Sequence, residues 1–89
     1  MTEKLDRWIV ETIRRFPGIT LWELSRLEQS ANAERYARLA NPEQQARSRL
    51  TKRLDSLLKS EFIRFELGMS VVCGKAEVRH YYVTEGCPW

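Results

Sequence analysis

A chain of 89 residues, 43% hydrophobic and 30% charged, is long enough for one domain with a small core and too ordinary in composition to be disordered. No apolar run approaches the roughly 20 residues of a membrane span, and the opening M-T-E-K-L-D-R has no apolar stretch of the signal-peptide kind, so a cytoplasmic protein without membrane contact is expected. The net charge is only +3, but residues 31–60 hold seven bases against three acids, while residues 61–89 hold three bases against four acids, and this local excess favours a polyanionic partner.

The first helix is expected over approximately residues 3–15, with Leu5, Trp8, Ile9, Thr12, Ile13 and Phe16 on one face. Pro17 disfavours a helical Phe16, and Gly18 permits a sharp turn. Thr20 and Glu23 then form a capping box, with Ile19 and Leu24 placed for a hydrophobic staple. The helix that follows is expected to bury Leu21, Leu24 and Leu27, with Trp22 to one side. Residues 30–40 are alanine-rich and helical in character. Ser30 to Asn32 interrupt the leucine pattern, which favours a short separate helix over an extension of the second.

Residues 41–60 organise the rest. Asn41 suits an N-cap, Pro42 suits the first helical position, and Gln44 is placed to close a capping box. Ala46, Leu50, Leu54, Leu57 and Leu58 form one apolar stripe. Gln45, Ser48, Arg49, Lys52, Ser56 and Lys59 fall opposite it, and Arg47 and Arg53 flank it. Leucines packed inward with Arg, Lys, Ser and Gln outward suit a helix that lies in a DNA groove, and equally an ordinary core helix with a solvated basic face.

After Ser60 the period changes to two. Ile63, Phe65 and Leu67 alternate with Phe62, Arg64 and Glu66, with Phe65 expected to be buried, and residues 76–84 read as a second strand. Gly68 and Cys73-Gly74-Lys75 offer turns between them, and Val71-Val72 could extend a strand. Of Tyr81 and Tyr82, which point to opposite sides, one is expected in the core.

Three segments together resemble the winged helix-turn-helix domains of prokaryotic transcription regulators: P-G-I-T-L-W-E-L-S-R-L (17–27), R-L-T-K-R-L-D-S-L-L-K-S-E-F-I-R-F-E (49–66) and V-R-H-Y-Y-V-T-E-G (78–86). The resemblance implies an α+β fold over the whole chain as a single domain, with three to four helices followed by a β-hairpin wing. It departs from the family in one respect: residues 30–41 stand where a short turn normally joins the two motif helices, so it does not fix their angle. What it implies is binding of double-stranded DNA, sequence-specific, with the 42–60 helix in the major groove, and a homodimer on a palindromic site. The recognition role falls to Gln44, Gln45, Ser48, Arg49, Lys52 and Arg53. Arg49 is placed to read guanine and Gln44 or Gln45 adenine. Arg47, Arg53, Lys59 and the wing residue Lys75 are placed for phosphate, with Arg79 a weaker wing candidate. Trp8, Trp22 and Trp89 are candidate dimer contacts.

Nothing points to catalysis. His80 is the single histidine, no Ser–His–Asp or Cys–His set can be assembled, and no phosphate-binding glycine pattern occurs, so neither an enzyme nor a cofactor is expected. Cys73 and Cys87 are too few and too far apart for a zinc site, and reduced thiols are favoured over a Cys73–Cys87 disulfide. Two further readings remain beside the regulator: a winged helix that scaffolds a protein complex, which the modest charge allows, and a replication or partition accessory factor that binds DNA without regulating transcription.

Overall fold

The computed structural model describes residues 2–69 and 77–89. The wing positions Gly74 and Lys75, the Val71-Val72 pair and the thiol of Cys73 lie outside the described residues. The described chain runs α1 (Thr2–Arg15), α2 (Leu21–Ala31), α3 (Ala33–Tyr36), α4 (Pro42–Lys59), β1 (Ile63–Met69) and β2 (Glu77–Val83). It is an α+β fold in which four helices precede a two-stranded antiparallel sheet. No helix among the described residues is long and apolar enough to cross a membrane.

Each element ends for a local reason. The Pro17-Gly18 turn closes α1 with Gly18 at φ 87°, a left-handed conformation that favours glycine. Thr20 caps α2 as expected: its side chain accepts from the Glu23 amide, and the Glu23 carboxylate accepts from the Thr20 amide. Asn32 closes α2 and separates it from α3. The expected box at α4 does not form. Asn41 is the N-cap residue and Pro42 opens the helix, but no side-chain cap bond is made. The Asn41 carbonyl still accepts from the Gln45 amide, so the helix begins on backbone bonding alone. At the far end, the Glu61 amide donates to Leu58 and the Phe62 amide to Leu57, a Schellman closure with Glu61 held at φ 62°.

The core lies where α1, α2, α4 and the sheet meet. Leu5, Ile9, Val10 and Ile13 of α1 join Leu24 of α2, Leu50, Leu54 and Leu57 of α4, Ile63 of β1 and Tyr81 of β2. The turn before α2 is stitched to the second strand. Gly18 donates to the Tyr81 carbonyl, and Tyr81 donates back to Ile19. His80 Nδ1 lies 2.9 Å from the Gly18 carbonyl, which accounts for it structurally. Tyr81 is buried and Tyr82 half-buried, as the alternation requires.

Three large apolar residues on the expected inner faces lie outside the core. Phe16 is 49% exposed because it lies beyond the last residue of α1, where the helical period no longer applies. Leu27 is 37% exposed because the inward stripe of α2 runs through Leu24, Ser25 and Glu28 instead. Phe65 is the third. Along β1 exposure rises from 2% at Ile63 through 37% at Phe65 to 63% at Leu67. The sheet therefore leaves the helical body as it extends, and Phe65 packs on Tyr81 and under Arg79 rather than in the core.

Candidate nucleic-acid interface

The inward face of α4 is fixed by Ala46, Leu50, Leu54 and Leu57, all buried, with Leu58 half-buried beside them. A helix anchored by that stripe must show its other side to solvent. Gln44, Gln45, Ser48, Arg49, Lys52 and Lys59 are all exposed. Among the described residues, Lys52 and Lys59 make no hydrogen bond or ion pair. Asp55 is exposed on the same helix and offsets part of their charge.

The arginines divide by position. Arg47 pairs with Glu43 one turn earlier at 3.0 Å, with both side chains about half exposed, so the contact is readily exchanged for another anion. Arg49 lies at the rim of the face, with Nε 3.9 Å from Glu28 Oε1 of α2. Arg53 corrects the reading of the flank as a phosphate-contacting edge. Its Nε and Nη2 donate to the two carboxylate oxygens of Asp6, each at 2.7 Å, and the guanidinium is largely covered. That bidentate contact raises the Arg53 pKa still further, chiefly through the hydrogen bond to Asp6. It ties α1 to α4 and takes Arg53 out of the outward set. Lys75 lies outside the described residues. Arg79 is exposed and stacks over Phe65, with its charge on the outer part of the sheet.

A second acid–base contact was not anticipated from the residues. Glu28 is buried on α2, Tyr36 of α3 donates to its Oε1 at 3.2 Å, and Arg49 approaches from α4. Burial pushes the Tyr36 phenol above its ordinary value, and the Glu28 carboxylate adds to that rise. The signal was present in the spacing. Leu21, Leu24 and Glu28 share one helical face, as Asp6 and Val10 do on α1, and an acid on an apolar stripe needs a partner from elsewhere. The short helix α3 thus supplies a buried hydroxyl to the joint between α2 and α4.

The three tryptophans expected as dimer contacts each make contacts within the chain. Trp89 is not a free tail: it packs edge-on against Phe62, lies beneath Arg7, and its carbonyl accepts from Arg14. Trp22 is half-buried under Arg26. Trp8 packs against the core and lines a shallow depression of about 290 Å³ with Phe16 and Leu27. Comparison with known protein families, curated proteins and solved structures gives no match to this chain.

Proposed function

We propose that this chain is a winged helix-turn-helix domain that binds double-stranded DNA through the outer face of α4, as a small transcriptional regulator. The observation that carries the reading is the division of α4: leucines locked inward, and Gln44, Gln45, Ser48, Arg49, Lys52 and Lys59 outward on one continuous surface. Amides and a guanidinium toward the start of the helix suit base edges, while ammonium groups further along suit phosphates. The progressive exposure of β1 supports a wing, since a strand pair that leaves the core can reach a second part of the duplex. Replication or partition accessory factors would use the same face. The test is a fluorescence anisotropy titration of a mixed-sequence duplex with the full chain at several salt concentrations. Binding whose log K falls linearly with log salt supports the reading, and no binding at low salt rejects it.

A second reading concerns protein partners. Phe16 and Leu27 are large apolar side chains left exposed beside Trp8, on the flank formed by α1 and α2. This patch supports self-association, or a scaffold role, better than Trp89 does. Sedimentation of the full chain with and without duplex distinguishes a homodimer from a monomer.

A further inference from the structure

Glu28 is 2% exposed, a position that a carboxylate occupies at a cost unless it is both hydrogen-bonded and paired. Tyr36 supplies the hydrogen bond at 3.2 Å, and Arg49 supplies the opposite charge at 3.9 Å, beyond hydrogen-bonding range. The two partners of this contact differ in freedom. Glu28 is enclosed and tethered by Tyr36, whereas Arg49 is 41% exposed at the rim of the outer face of α4. The contact is made through Nε, and an arginine approached at Nε keeps two Nη groups to offer. A fixed carboxylate behind a long side chain restricts its rotamers before any ligand arrives, which lowers the entropy lost on binding. A base-reading arginine gains most from such restriction, because guanine O6 and N7 demand a bidentate approach in one plane.

We propose that Glu28, held by Tyr36, is a positioning residue that aims Arg49 at a guanine edge and so sets the base preference of the α4 face. The proposal rests on the duplex-binding reading above. It assigns α3 a role as well, since Tyr36 comes from that short helix.

The experiment begins with selection of a preferred site for the wild-type chain from a randomised duplex library. Glu28→Gln, Arg49→Ala and the double variant are then titrated against that site, its single-base variants and a random duplex, with thermal unfolding of each protein measured alongside. Glu28→Gln keeps the shape and an acceptor for Tyr36 while removing the charge that faces Arg49. Arg49→Ala should relax one base position by roughly 5- to 150-fold, the span of a lost bidentate contact. Glu28→Gln should relax the same position by a smaller factor and leave the random duplex bound as tightly or more so, since an acid near the phosphates is gone. The double variant should discriminate no less than Arg49→Ala alone, because both act through one contact.

Discrimination that survives Glu28→Gln but is lost in Arg49→Ala overturns the positioning role and leaves duplex binding intact. Equal weakening on all duplexes, in step with lost folded protein, reduces Glu28 to a purely structural residue. A wild-type chain that selects no site removes the duplex reading and this inference together. If Glu28→Gln does not fold, Tyr36→Phe takes its place: it loosens the carboxylate, keeps the charge, and should relax the same base position.

Discussion

Asp6 and Arg53, 47 positions apart in the chain, are joined by two parallel hydrogen bonds of 2.7 Å that fasten α1 to α4. The carboxylate is nearly covered, so little water competes with the guanidinium for it. Asp6→Ala is expected to cost roughly 1.5–3 kcal/mol, the range for hydrogen bonds to charged groups. Urea unfolding measures it. A loss under about 0.5 kcal/mol would make this an ordinary solvent-screened pair.

The apolar stripe of α4 makes a contrasting prediction. Leu54 is 1% exposed and Phe65 is 37% exposed. Leu54→Ala should lose roughly 2–5 kcal/mol through transfer and cavity terms. Phe65→Ala should lose distinctly less, because its ring already faces solvent on one side. Equal losses in denaturant titrations would contradict the core boundary drawn along β1.

Glu61 sits at φ 62° in the Schellman closure of α4, where a side chain is strained and glycine is not. Its carbonyl accepts from Thr84 Oγ1, a bond that any residue at this position keeps. Glu61→Gly should therefore raise stability, by about 1 kcal/mol, without touching the outer face of α4. Destabilisation in thermal melts would show that the Glu61 side chain has a role its exposure does not suggest.

Alkaline pH offers a readout of the Glu28–Tyr36 joint. Burial raises both the Tyr36 and Tyr81 phenols above the ordinary 10.0, and Glu28 adds to the effect at Tyr36. As pH climbs through that value, the unfolded chain loses these protons first. The unfolded state then binds fewer protons than the folded one, so stability is intact below about pH 10 and declines above it. Tyr36→Phe should lose about 1–2 kcal/mol at neutral pH, with the Glu28 hydrogen bond gone, and decline less steeply above pH 10. Parallel alkaline limbs for wild type and variant would contradict the assignment.

The elements themselves were legible because each carries a local signal. The Thr20–Glu23 box, the Pro17-Gly18 turn, the break at Asn32 and the change to period two after Ser60 all stand in the structure. What periodicity could not supply was phase and partnership. Periodicity puts Leu27 inward with Leu21 and Leu24, yet Glu28 is the buried residue, since Tyr36 and Arg49 reach it from α3 and α4. Periodicity sets Arg53 on the flank as a free cation because its acid lies 47 residues away on α1. Both errors have one origin: a helical wheel records the angle of a charged residue but not the acid that a second helix brings to it.

The most direct test of the α4 face is the salt dependence of binding to a mixed-sequence duplex, measured for wild type, Lys52→Ala, Lys59→Ala and Lys4→Ala. Lys52 and Lys59 are exposed on α4 without ion-pair partners among the described residues, and Lys4 is exposed on α1. Each phosphate contact removed should flatten the slope of log K against log salt by about 0.9. The account predicts that flattening for each of the two α4 lysines and an unchanged slope for Lys4→Ala. Parallel slopes for all four proteins, or no duplex binding at any salt concentration, would contradict it.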